Sequence, residues 1–238
     1  HCISSAASDV YKRQLLIAEQ RAARNLLRLA LAGNREMEPF RGELVEEAQK
    51  VCGIRYGRQQ RKAFNKLLLT RGVKILTGGP GTGKTSTING MLHAYEIMHP
   101  DHIIRLCAPT GRAAQRMSES TGRTAVTIHR LLDYQPDGLG ANYRNEKNPV
   151  DADLVVVDEM SMADIRLFDM LLAALKTGTK LILVGDVNQL ESVGAGSVLN
   201  DLMGTSDLFI EKNRLTEVFR QKGCLLYTSP SPRDVEES

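Results

Sequence analysis

The residue types best suited to chemistry lie in residues 78–85, which read GGPGTGKT and directly follow an apolar run at residues 73–77. This is the pattern G-x-x-x-x-G-K-[ST] in the strand-to-helix context in which it binds phosphate. Glycines let the backbone wrap closely around a phosphate, the lysine adds charge at the β- and γ-phosphates, and the next hydroxyl is a ligand for Mg²⁺. We therefore predict a phosphate loop that binds ATP and Mg²⁺ and consists of Gly78, Gly79, Pro80, Gly81, Thr82, Gly83, Lys84 and Thr85. The alternative, an ordinary tight turn, leaves the Lys84–Thr85 pair unexplained.

A second candidate site lies where the apolar residues 154–157 are followed by Asp158 and Glu159. The carboxyl ends of parallel strands face one crevice, so this pair is expected to face the phosphate loop. Asp158 can hold Mg²⁺ through its water shell, because hard cations prefer oxygen ligands, and Glu159 can polarise the water that attacks the γ-phosphate. The alternative is that Asp158 only caps a helix that starts near Ser161.

Alternating strand and helix patterns position these two motifs. Strands are predicted at residues 73–77, 103–108, 154–157 and 181–184, and helices at residues 84–98, 111–120 and 161–175. These strands are too apolar for a sheet with one wet face, so the pattern predicts an α/β fold, a mainly parallel sheet with helices on both faces. Helical patterns at residues 15–31 and 58–69 precede the sheet and flank a polar stretch at residues 33–57. Residues 133–150 are predicted to leave the sheet as a surface loop or a small inserted hairpin.

Composition limits the other classes of function. The chain has 238 residues, 42% hydrophobic and 25% charged, which is ample for a buried core. No apolar run approaches the roughly 20 residues of a membrane span, and no signal-peptide pattern is present, so we expect a cytoplasmic protein. Scattered cysteines without a C-x-x-C pair disfavour a zinc site and a disulfide framework. The net charge of +3 is too small to indicate a nucleic-acid partner by itself.

The two ends of the chain differ in character from the rest. Residues 4–14, SSAASDVYKRQ, and residues 224–234, CLLYTSPSPRD, resemble translated transposase adapters of short-read sequencing libraries. We therefore interpret residues 1–14 and 224–238 as adapter-like tails and exclude them when predicting the fold. The alternative is two natural polar tails. With adapters at both ends, we expect the gene to have been cut at both ends.

Further motifs occur in a fixed order along the chain. They are APTGRAA at residues 108–114, TIHRLL at 127–132, DEMSM at 158–162, VGDVNQL at 184–190 with SVGAG at 192–196, and LTEVFRQ at 215–221. Together with the phosphate loop, this series resembles a superfamily 1 DNA helicase of the RecD-like branch, which includes the alpha subunit of exodeoxyribonuclease V. The resemblance covers residues 56–221. It implies a first RecA-like P-loop NTPase domain at residues 57–223, preceded by the end of an N-terminal helical domain at residues 15–56.

The resemblance also implies roles for three side chains at the nucleotide. Gln60 would read the adenine edge, Gln189 would sense the γ-phosphate and relay its state toward DNA, and Arg220 would reach the γ-phosphate. A planar cation there would stabilise the charge that spreads over the phosphate oxygens in the transition state. The alternatives are surface amides for the two glutamines and a surface ion pair for the arginine.

Residues 105–130 hold five arginines and one acid, Glu119, which is a local cluster of positive charge. Such charge tracks a phosphate backbone without reading its sequence. The resemblance places single-stranded DNA along Pro109, Thr110, Arg112, Thr127 and His129. The alternative for His129 is a packed, hydrogen-bonded residue, and the arginines of residues 15–31 are expected to form a solvated face. Aromatic residues are scarce, so extensive base stacking is not expected.

By resemblance, the whole protein would be an ATP-dependent DNA helicase that moves 5′ to 3′, alone or with other subunits of a helicase–nuclease complex. Such an enzyme closes ATP between two RecA-like domains, and nothing after Gln221 resembles the second one. We therefore expect this chain to bind nucleotide weakly and to turn over slowly or not at all. Two alternatives remain, the helicase part of a conjugative relaxase and a nucleotide-binding regulatory module that never hydrolyses ATP.

Overall fold

The computed structural model describes residues 2–32, 42–134, 143–189, 194–206 and 209–219, with side chains from residue 9 onward. In these ranges no helix is both long and apolar enough to cross a membrane. The helices are α1 (Cys2–Ala32), α2 (Gly42–Cys52), α3 (Arg58–Leu69), α4 (Lys84–Met98), α5 (Gly111–Thr121), α6 (Ile128–Leu131), α7 (Ile165–Ala174) and α8 (Val198–Gly204). The strands are β1 (Val73–Gly78), β2 (Ile104–Ala108), β3 (Ala125–Thr127), β4 (Leu154–Val157), β5 (Lys180–Gly185) and β6 (Glu211–Leu215).

The strands form one sheet in the order β3-β2-β4-β5-β1-β6, and every neighbouring pair is parallel. Every residue of β1, β4 and β5 is buried, which explains why these three strands are mostly apolar; the polar residues among them are Lys74, Thr77 and Lys180. The prediction of a parallel sheet is therefore confirmed, and the strands that carry the two candidate motifs lie at its centre.

Helices cover both faces of the sheet, as the sequence predicts. Because side chains alternate along a strand, Leu76, Val156 and Ile182 face a core built with α2, α3, α4 and α5. Ile75, Val155 and Leu183 have the opposite orientation and face a core built with α1, α6, α7 and α8. The sheet is thus buried on two sides, which leaves the ends of the strands as the places where ligands can approach.

The first helix is longer than predicted and packs on the domain. It begins at Cys2 rather than near residue 15, since residues 2–32 contain no glycine or proline that would break it. The prediction that Arg28 lies on a solvated face is wrong, because its Nη2 donates to the carbonyls of Leu172 and Leu175 at 3.1 and 2.9 Å. Arg28 thus binds backbone carbonyls at the C-terminal end of α7, where a cation is favoured.

Several elements escape the sequence prediction. The polar stretch contains α2, whose amphipathic pattern buries only Leu44, Val45 and Ala48. The edge strands β3 and β6 are short and partly exposed, and β6 reads EKNRL, which has no strand-like apolar run. The insertion is only partly described, because residues 135–142 lie outside the described ranges. Of the rest, Arg144 N–H donates to Leu132 O at 2.8 Å and Val150 forms an isolated bridge with Leu175.

We predict that Arg28→Leu lowers the free energy of unfolding by about 1–2 kcal/mol, because the carbonyls that Arg28 binds at the end of α7 lose a charged donor. Urea denaturation followed by circular dichroism measures the change. Arg24→Leu is the matched control, since Arg24 is exposed and its Nε donates only to Gln20 O in its own helix. Equal losses in the two variants would contradict the prediction.

We predict that the ion pair of Glu96 and Arg123 stabilises the fold only above acidic pH. Hydrogen bonds from Arg123 lower the pKa of Glu96 from its usual 4.5, so the contribution is present above that value and is lost as the pH falls through the lowered pKa. Glu96→Gln should therefore reduce stability at pH 7, by less than about 1 kcal/mol because the pair is part-exposed, and should cost less at pH 2.5 than at pH 7. Urea denaturation at both pH values checks this, with Glu119→Gln as the control.

Candidate active site

A cleft of about 620 Å³ opens where β1 and β4 end, and it contains most of the residues predicted to bind nucleotide and metal. Its lining residues are Ile54, Arg55, Gln60, Gly79, Pro80, Gly81, Gly83, Lys84, Thr85, Ser86, Asp158, Glu159 and Phe219. Only β5 lies between β1 and β4, so the phosphate loop and the two acids are separated by two strand spacings, or about 10 Å. The structure therefore brings the phosphate loop and the acidic pair together in one cleft.

The phosphate loop has the backbone that its glycines predict. Gly81 and Gly83 adopt φ angles of +74° and +83°, which are unfavourable for residues with a side chain. Helix α4 begins directly after, at Lys84, so its positive N-terminal end points into the cleft. Lys84 Nζ donates to the carbonyls of Gly78 and Gly79 at 2.5 and 3.2 Å, which keeps the ammonium group within the loop.

Asp158 continues the line of β4, since its N–H donates to Cys107 O at 2.9 Å on β2. Its Oδ1 accepts the N–H of Glu159 at 2.8 Å. Burial raises the pKa of Asp158, and this hydrogen bond and the charge of Lys84 partly oppose the rise. The helix-cap alternative is wrong, because Asp164 and not Asp158 accepts the N–H of Leu167 at the start of α7.

Glu159 is held in a conformation that is rare for a residue with a side chain. Its φ of +53° places it in the left-handed region at the start of a short 3-10 turn, Met160–Met162. Burial raises the pKa of Glu159, and the neighbouring charge of Asp158 raises it further, whereas Arg116 and Lys84 oppose the rise. The carboxylate is thus more basic than a solvated one, which suits a group that polarises water.

Gln189 lies beside this turn, as Ser161 Oγ donates to Gln189 Oε1 at 3.3 Å. The contact connects the loop that follows β5 to the loop that carries Glu159. Gln60 is 1% exposed, so the surface-amide alternative is wrong for this residue. Its Oε1 accepts the N–H of Gly57 at 3.0 Å and its Nε2 donates to Gly83 O at 3.5 Å, which places the amide against the phosphate loop.

The residues after β6 complete one wall of the cleft. We call residues 216–219 the exit segment. Phe219 lines the cleft, and its N–H donates to Gly81 O at 3.0 Å. Phe219 was not among the site residues predicted from the sequence, although Phe219 directly precedes the predicted Arg220 in the motif at residues 215–221. Arg220 itself lies outside the described residues.

Thr85 and Asp158 supply a hydroxyl and a carboxylate to the same cleft. These hard oxygen donors fit a magnesium ion, which usually takes one or two protein ligands and completes its shell with water and substrate phosphates. In the described ranges, no cluster of three histidine, cysteine or acidic residues suited to a metal is present. The donor set therefore favours an ion held jointly with a nucleotide.

The predicted DNA residues lie along the same edge of the sheet. Thr110 follows β2 and Thr127 is the last residue of β3. Their hydroxyls cap α5 and α6 by accepting the N–H groups of Ala113 and Arg130 at 3.2 and 3.1 Å. Pro109 is half-buried, while Arg112 and His129 are exposed. The packed alternative is therefore wrong for His129, whose ring lies 5.8 Å from that of Tyr134.

The arginine cluster does not form one surface. Arg123 donates from Nε and Nη2 to the carboxylate of Glu96, both at 2.7 Å, so its positive charge is neutralised by Glu96. Arg105 lies near the start of β2 and donates to Asp151 O at 3.4 Å, at the opposite edge of the sheet from the cleft. Arg112 and Arg116 lie on α5, and the charge of Arg116 acts on Asp158 and Glu159, whereas Arg130 lines a second pocket together with Arg105 and Arg123. The predicted cluster is thus corrected to a smaller one, because a strand separates residues that are close in sequence.

A family model described as an AAA domain matches residues 60–195, more than half of the chain. The chain is 44% identical over 147 residues to the ATP-dependent RecD2 DNA helicase of Deinococcus radiodurans, covering 62% of this chain and 19% of that protein. It is 38% identical over 183 residues to the RecBCD enzyme subunit RecD of Mycolicibacterium smegmatis, covering 68% of this chain and 33% of that protein. The corresponding subunit of Haemophilus influenzae is 36% identical over 171 residues, covering 61% of this chain and 27% of that protein.

The chain therefore spans a third or less of the length of these curated relatives. The matched region contains the phosphate loop, the acidic pair and Gln189, which are the residues that the fold collects at the cleft or beside it. The chain belongs to the AAA-domain family, and within its matched region it is similar to RecD and RecD2 proteins.

Proposed function

We propose that this chain is the nucleotide-binding half of an ATP-dependent motor that moves along single-stranded DNA. One observation carries the proposal: Lys84 and Thr85 of the phosphate loop line the same cleft as Asp158 and Glu159. A loop that binds phosphate and a pair of half-buried acids opposite it are the parts that phosphoryl transfer to water requires.

In this proposal each residue has a separate task. The phosphate loop and Lys84 bind the β- and γ-phosphates and neutralise their charge. Thr85 and Asp158 hold Mg²⁺, which when bound withdraws negative charge from the phosphate oxygens. Glu159 orients the attacking water and accepts its proton, helped by its raised pKa. Gln60 recognises the base, and Gln189 and Arg220 respond to the γ-phosphate.

The DNA strand would run along Pro109, Thr110, Arg112, Thr127 and His129. Pro109, Thr110 and Arg112 follow β2, which is next to β4 in the sheet, so they adjoin the loop of Glu159; Thr127 and His129 lie at or just after the end of β3, the edge strand beyond β2. The contact between Ser161 and Gln189 gives a short physical path from the hydrolysis site toward the sheet edge. Exposed Arg112 would bind phosphate without reading sequence.

The names of the relatives support the rest of the proposal. One is an ATP-dependent DNA helicase, and others are subunits of the RecBCD enzyme. We therefore propose a cytoplasmic helicase that translocates 5′ to 3′, either alone or within a helicase–nuclease complex, and that needs a second RecA-like domain for full turnover. Residues 1–14 and 224–238 remain proposed as adapter-like tails.

The proposal is tested with a clone that carries the flanking coding sequence. Absence of DNA-stimulated ATP hydrolysis by that longer protein would contradict the helicase proposal, and robust unwinding by the 238-residue chain would contradict its description as half of a motor. A nuclease domain with a histidine cluster upstream would instead favour the conjugative relaxase.

We predict that Glu159→Gln preserves ATP binding but lowers the rate of ATP hydrolysis by about two orders of magnitude or more, because the variant cannot accept a proton from water. Equilibrium binding of a fluorescent ATP analogue and steady-state hydrolysis in the longer protein measure the two effects. Glu119→Gln, an exposed position on α5, should change neither. An unchanged hydrolysis rate in Glu159→Gln would favour the regulatory-module alternative.

We predict that Arg112→Gln weakens binding to single-stranded DNA several-fold at low salt and lowers the slope of log affinity against log salt by about 0.7, because one phosphate contact is lost. Fluorescence anisotropy with a labelled oligonucleotide at several salt concentrations measures both quantities. Arg105→Gln is the control, since Arg105 lies at the opposite edge of the sheet. Equal effects of the two substitutions would place the DNA elsewhere.

A further inference from the structure

Gln59 binds a stretch of backbone that no sequence motif connects with it. Gln59 Oε1 accepts the N–H of Thr216 at 2.7 Å and that of Glu217 at 3.2 Å, and Gln59 Nε2 donates to Thr216 Oγ1 at 2.7 Å. A primary amide suits this task, because its oxygen has two lone pairs and its nitrogen has two donors. One side chain of α3 therefore satisfies two successive backbone donors immediately after β6.

The phosphate loop holds the other end of the exit segment. Besides the hydrogen bond from Phe219 N–H to Gly81 O, Val218 Cγ1 lies 3.6 Å from where a Cβ on Gly81 would stand. Val218 and Phe219 are 62% and 41% exposed, so burial alone does not hold this segment in place. Its position depends on two anchors, Gln59 at the start and Gly81 at the end.

The first turn of α3 thus carries two neighbouring glutamines with different partners. Gln60 contacts the phosphate loop through Gly83 O, while Gln59 contacts the exit segment. Gly57, just before this turn, also lies against Phe219, because a Cβ there would stand 2.6 Å from the Phe219 ring. The turn therefore sets the spacing between the loop and the aromatic wall of the cleft.

We propose that Gln59 is a positioning residue of the nucleotide site, which keeps Phe219 at the cleft by anchoring the exit segment. The ligand, Mg-ATP, rests on the proposed function, whereas the anchor rests on the hydrogen bonds of Gln59 alone. Without the anchor, the exit segment has to be ordered when the nucleotide binds, and that entropy cost weakens binding.

The test compares Gln59→Leu with Gln59→Glu, whose side chain keeps an oxygen in the position of Gln59 Oε1 that can accept both N–H groups. Gln115→Leu is the matched control, because Gln115 bonds only to Glu119 on its own helix. In Gln59→Leu we expect the amides of Thr216 and Glu217 to exchange hydrogen about tenfold faster and the affinity for a fluorescent ATP analogue to fall about threefold to tenfold. Gln59→Glu and Gln115→Leu should stay within about twofold of the wild type for both readouts.

Unchanged exchange at Thr216 and Glu217 in Gln59→Leu would overturn the anchor, and faster exchange with unchanged ATP affinity would overturn the positioning role. If the leucine variant does not fold, Gln59→Asn replaces it, since its side chain is one methylene too short to reach both donors. If the wild-type chain binds no ATP, both the proposed function and the nucleotide role of Gln59 are contradicted. Hydrogen exchange at Thr216 and Glu217 needs no ATP, so it still shows separately whether Gln59 anchors the exit segment.

Discussion

The parallel pairing of β1 with β5 and of β5 with β4 is the constraint on which the site depends. In this register Val73 pairs with Leu181, and Val157 pairs with Leu183. All three strands therefore end on one side of the domain, and loops distant in sequence meet there. An antiparallel β4 would carry Asp158 and Glu159 to the opposite edge. The fold thus determines the chemistry through strand direction, with the two helical layers holding that direction fixed.

The charges of the cleft form a second layer of organisation. Burial raises the pKa of both Asp158 and Glu159, and the positive charges of Lys84 and Arg116 partly oppose the rise. Arg116 was only one of a run of arginines in the sequence. Its influence on the acidic pair comes from the position of α5, whose residues Ser120 and Thr121 line a small cavity together with Asp158. The acids are therefore balanced by cations from two helices.

The central strands and the phosphate loop could be predicted because their signals are local. Buried strands are mostly apolar, and the loop needs glycines at fixed positions. The edge strand β6 could not be predicted, since it is stabilised by pairing with β1 and its sequence is polar. The contacts of Gln59 and Arg28 could not be predicted either. Gln59 bonds to Thr216, which is 157 residues away in sequence, and Arg28 bonds to Thr177, which is 149 residues away. Contacts of this kind leave no periodic pattern that a sequence could reveal.

The carbonyl of Gly81 accepts a hydrogen bond from the N–H of Phe219, a residue outside the phosphate loop. A peptide unit is rigid, so its carbonyl cannot turn without its partner N–H on the next residue turning as well. A ligand that rotates the peptide between Gly81 and Thr82 would therefore also disturb the hydrogen bond from Phe219 N–H. A movement of the phosphate loop at Gly81 would therefore also displace Phe219 in the wall of the cleft.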